Sequence, residues 1–88
     1  MGTLEKEQSV TDIDSPVVRK LILFNSGHLW DQVILQLQKA TGFDIIHCEQ
    51  IAVIAHTKGK ATVKSGLINE LSKINNVLKE INLVTEIQ

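Results

Sequence analysis

"DIIHCEQIAVIAHTKGKATVKSG", residues 44–66, is the stretch whose reading decides the fold. Its first part, 44–57, is apolar nearly all round, and periodicity alone does not separate a buried helix from a strand in such a run. Its length, its alanines and the bracketing Gly42 and Gly59 favour a helix. Gly59 then supplies a left-handed C-cap, and Lys58 and Lys60 complement the negative end of the helix. "KATVKS" (60–65) sets Ala61, Val63 and Ser65 against Lys60, Thr62 and Lys64, the alternation of a half-buried strand, and Gly66 is expected to break it.

Working outward, "VVRKLILFN" (17–25) is rich in β-branched and large apolar residues and runs into the turn-forming Asn25-Ser26-Gly27, so it reads as a strand. Trp30, Val33, Ile34, Leu37 and Thr41 recur at three- and four-residue spacing, the stripe of an amphipathic helix that Gly42 stops. Leu67, Leu71, Ile74, Leu78 and Ile81 mark a second such helix, and "LVTEIQ" (83–88) a short closing strand. The order is β-α-α-β-α-β. It predicts an α+β fold, a small three-stranded antiparallel sheet packed against three helices. Residues 1–16 are polar, acidic and without apolar periodicity, and are expected to form a flexible tail ahead of a domain over 17–88.

Composition excludes several classes of function. With 88 residues and 43% hydrophobic content the chain suits one small core, and its only aromatic residues are Phe24, Trp30 and Phe43. Nine basic against ten acidic residues give a net charge of −1, which does not suit nucleic acid, because phosphate binding needs a clustered basic face. No apolar run approaches the ~20 residues of a membrane span. No signal-peptide pattern is visible, and Lys6 replaces the Ser or Thr that Met1-Gly2 would need for myristoylation. The lone Cys48 fits a reducing compartment, so the chain is expected in the cytoplasm.

No arrangement of chemistry-bearing residues points to an enzyme, a metal or a cofactor. His28, His47, Cys48 and His56 lack zinc-site spacing. Cys48 and His56 stand about 12 Å apart along a helix, too far for nucleophile activation. "HTKGKA" lacks the frame of a phosphate-binding loop. His56 ends an apolar segment, either as a core residue with a partner or as a group aimed at a ligand.

From Leu21 onward these pieces, in this order, resemble the ClpS family of protease adaptors, in a form closest to that of Bacteroidetes-like bacteria. "EQIAVIAH" followed by "TKGKATVKSG" is similar to the family's alanine-rich helix, histidine, Gly-Lys-Ala turn and strand. "LILFN" resembles the strand that enters its ligand loop, "DQVI" the helix after it, and "INLVTEI" the closing segment. The resemblance implies a non-enzymatic adaptor that binds a substrate protein through a bulky hydrophobic N-terminal residue. Such adaptors pass the substrate to a Clp AAA+ unfoldase, ClpA- or ClpC-like, with the peptidase ClpP. By position, it assigns Asn25 to the start of the ligand loop, His56 to the peptide's amino end, Val33, Ala52, Ala55 and Leu83 to the side-chain pocket, and Trp30 to its rim. Glu70 and Lys73 match charged positions that contact the unfoldase, and the polar tail matches an extension used in substrate delivery.

One departure matters. The family carries two aspartates after the loop asparagine, and here Ser26 and Gly27 stand in their place in a loop about one residue shorter. Asp31 and Glu49 are the carboxylates considered as substitutes, although Asp31 has a sufficient role in the first turn of its helix. Ala52 matches a position often filled by methionine, so a roomier pocket is expected unless Trp30 folds across it. The alternative is a diverged module that docks on the unfoldase but has lost or changed recognition of free N-termini.

Overall fold

A computed structural model describes residues 17–88, so the tail expected over 1–16 lies outside the described residues. The elements follow the expected order: β1 (Val18–Phe24), α1 (Trp30–Thr41), α2 (Ile45–Lys58), β2 (Lys60–Leu67), α3 (Ile68–Leu78) and β3 (Thr85–Ile87). A single 3₁₀ turn, Lys79–Ile81, extends α3. The three strands form one antiparallel sheet in the order β2-β1-β3.

The central strand supplies Leu21 and Leu23 to a core completed by Ile34 and Leu37 of α1, Cys48 and Ile51 of α2, and Leu71, Ile74 and Leu78 of α3. The ambiguous segment is a helix because its ends are capped. The Asp44 carboxylate accepts from the His47 backbone N–H at 2.9 Å, and Gly59, at φ 91°, donates its own N–H to the Ala55 carbonyl. His47 itself stacks on Phe43, with ring centroids 4.1 Å apart.

Two expectations near β2 are corrected. Gly66 does not break the strand; it pairs with Arg19, and β2 continues to Leu67, which is exposed and precedes rather than begins α3. Glycine keeps the backbone N–H and C=O that the ladder uses, so pairing with β1 carries the strand through it. A Cβ there would crowd only the mobile carboxylate end of Glu70. Likewise only Thr85–Ile87 of the closing segment joins the sheet, while Leu83 enters the core before it.

Candidate functional site

The loop between β1 and α1 leaves the sheet between two fixed points. Phe24 N–H donates to the Val84 carbonyl at 2.9 Å, and Asn25 N–H donates to the carbonyl of Gly59, also at 2.9 Å. The glycine that ends α2 therefore also anchors the start of the loop. Farther along, His28 Nε2 bonds the carbonyl of Ile81, and the Ser26 hydroxyl lies 2.7 Å from His28 Nδ1. That carbonyl is open to a partner because it closes a helical end, where carbonyls have no intrahelical donor. Leu29 then caps α1 with its backbone, and Trp30 is the first helical residue.

Opposite this loop, Ala52, Ala55 and His56 occupy positions i, i+3 and i+4 of α2, one face of a helix. Both alanines are buried, and their single methyl groups leave a gap where larger side chains would fill it. Leu83 and Leu23, each about 1% exposed, form the apolar floor, with Val33 half-buried beside them. The Trp30 and His56 rings meet edge to face at the mouth, centroids 6.1 Å apart and planes at 86°. The cleft holds about 50 Å³, room for roughly three to five waters.

The structure brings Asn25, Ser26, Trp30, Val33, Ala52, Ala55, His56 and Leu83 together around this one cleft, and adds Leu23, Phe24 and His28. His28 appeared in the sequence only as an unplaced metal-ligand candidate, and its proximity to Ser26 was the one available hint. His56 is exposed and has no hydrogen-bond partner among the described residues, so it is not a core histidine with a buried partner. Trp30 and Ala52 both line the cleft, with the indole edge against the His56 ring.

Neither substitute carboxylate reaches the cleft. Asp31 is absent from its lining, and Glu49 faces the other side of α2 beside Ile46, Val53 and Ile54. Among the described residues, every polar side chain lining the cleft is uncharged or a histidine: Asn25, Ser26, His28, Trp30 and His56. Glu70 and Lys73 lie elsewhere, on α3, where Glu70 pairs with Lys64 at 2.8 Å and Lys73 is exposed. Cys48 is fully buried, and burial pushes its thiol above the ordinary range. No group of three or more metal-ligating side chains comes together among the described residues, and no described helix is long and apolar enough to cross a membrane.

This frame of a three-stranded sheet, a helix-capping glycine and a loop-walled cleft is the ClpS-like fold. The solved structure of ClpS2 from Agrobacterium tumefaciens, bound to L-phenylalaninamide, is similar to this chain with a TM-score of 0.74 at 16% sequence identity. The match covers 84% of this chain and 100% of that one. No protein-family model matches the sequence, and no curated protein sequence matches it.

Proposed function

We propose that this chain is a non-enzymatic adaptor for a Clp AAA+ unfoldase and its ClpP peptidase, and that its cleft binds the first residue of a substrate protein. Residues 17–88 form the adaptor core and work in the cytoplasm. The observation that carries this reading is the convergence of an apolar floor (Leu23, Leu83), two buried alanines and an exposed His56, without a hydrogen-bond partner among the described residues, on one small cleft. The floor desolvates a side chain, which contributes about 1.5–3 kcal/mol, and the polar wall meets the amino end. With room for only a few heavy atoms, the cleft suits leucine better than an indole ring. The ligand seen in Agrobacterium ClpS2, an amino-acid amide with a free amine, supports the same reading. Glu70 and Lys73, exposed on α3 away from the cleft, are assigned to the unfoldase contact.

Fluorescence anisotropy with peptides beginning in Leu, Phe, Tyr or Trp, each with a free or acetylated N-terminus, tests the proposal. Binding that needs both the free amine and a bulky first residue supports it. A second reading, a module that docks on the unfoldase without reading free N-termini, is favoured by the absence of a lining carboxylate among the described residues. Flat curves for every peptide, together with capture of the unfoldase, would establish that second reading.

A further inference from the structure

A bound ammonium brings three N–H donors, and a cleft lined, among the described residues, by no carboxylate meets them there with neutral acceptors. The loop contains a device suited to that. The Ile81 carbonyl can only accept, so the proton of the neutral His28 ring sits on Nε2. Nδ1 is then an acceptor, and the hydroxyl 2.7 Å away must donate to it. With its hydrogen committed to His28, Ser26 Oγ has only lone pairs left, on a half-buried atom lining the cleft. A hydroxyl free to rotate would present a donor or an acceptor; this one presents an acceptor only. Each bond in the chain also polarises the next, which strengthens the acceptor at its end.

We infer that Ser26 Oγ accepts a hydrogen bond from the substrate's α-ammonium, and that His28 is the positioning residue that holds it in accepting form by bridging Ser26 to Ile81. The inference rests on the reading of the cleft as an N-terminal-residue site and goes beyond it by assigning the amine acceptor. His28 acts through Ser26 and touches no ligand in this role.

The test compares affinities of the full chain for one Leu-initiated peptide with a free and with an acetylated N-terminus. The variants are Ser26→Ala, His28→Phe, His28→Gln and the double variant Ser26→Ala/His28→Phe, each checked by thermal melt. Ser26→Ala and His28→Phe should each lower the preference for the free amine about tenfold, the worth of one hydrogen bond to a charged group. The double variant should fall no further than either single change, because the two residues act as a unit. Glutamine, whose amide can donate to Ile81 and accept from Ser26, should recover part of the preference. An unchanged preference in Ser26→Ala, or equal losses for both peptides in His28→Phe and His28→Gln, overturns the inference while leaving the cleft's function intact. If the unaltered chain fails to prefer the free amine, the functional reading falls and takes this inference with it.

Discussion

Helix α2 borders two hollows, one walled by polar and apolar groups together and one mainly apolar. The inner one is walled on several sides, with Ala52, Ala55 and His56 on one side, the 25–30 loop on the other and leucines beneath. The outer one is larger, about 450 Å³ against about 50 Å³, but among the described residues only those of α2 itself line it: Ile46, Glu49, Gln50, Val53 and Ile54. With no second described element opposite, a ligand held by these residues would keep most of its surface in water. The inner hollow combines apolar side chains with polar groups from two elements, and a few placed polar groups are what fix a ligand's orientation. The contrast shows that walls on several sides and polar convergence, not apolar area, distinguish the candidate site.

The strongest way to break this comparison is to fill each hollow in turn. Ala52→Phe should abolish measurable peptide binding, a loss of more than about a hundredfold, at a stability cost of about 1–3 kcal/mol from overpacking. Val53→Phe on the outer face should leave peptide affinity unchanged. If both variants bind alike in anisotropy, the inner hollow is not the site.

His56→Ala removes a polar group from the cleft without touching the core. A lost hydrogen bond to a charged ligand predicts affinity weaker by about tenfold to a hundredfold. The melting curve should hardly move, since substitutions at exposed positions usually change stability by less than about 0.5 kcal/mol. A collapse of the circular-dichroism melt would instead restore a structural role for this histidine.

Trp30→Ala sharpens the comparison by opening the mouth. Peptides beginning with Trp or Tyr should gain several-fold relative to those beginning with Leu, because the edge-on indole no longer limits the cleft. An unaltered ranking of peptides would show that the walls deeper in the cleft set the size limit.

The smallest effect concerns the buried side of α2. Burial raises the Cys48 thiol, with a partial offset from Thr41 and a small addition from Asp44. A raised group contributes stability below the unfolded-state value, ordinarily about 8.5 for a thiol, and that contribution is lost as pH rises beyond it. Denaturant unfolding should therefore show stability falling above about pH 8.5, with a slope no steeper than about 1.4 kcal/mol per pH unit from this group. Cys48→Ala should flatten that slope, whatever its effect on stability at neutral pH.

The helix ends and β2 were legible because their signals are local. Gly42 and Gly59 mark the ends of helices, and Lys60–Ser65 alternates as a strand must, while Ala52, Ala55 and His56 came from the resemblance. What sequence reading missed depends on distant partners. Gly66 looks like a breaker until Arg19, 47 residues earlier, pairs with it across the sheet. His28 looks idle until Ile81, 53 residues away, comes within hydrogen-bond reach. The substitute roles considered for Asp31 and Glu49 failed for the same reason, since the side a carboxylate faces is set by packing that neighbouring residues do not encode. Resemblance to a family named residues that the fold gathers around one cleft, but not the Ser26–His28–Ile81 hydrogen-bond chain.

The most direct test of the central claim is a map of ¹⁵N–¹H chemical-shift changes as L-leucinamide is titrated into the labelled chain. The account predicts saturable changes confined to the 25–30 loop, the Ala52–His56 turn of α2 and the neighbourhood of Leu83. Changes centred on Ile46, Gln50 and Val53, or none at millimolar ligand, would contradict it.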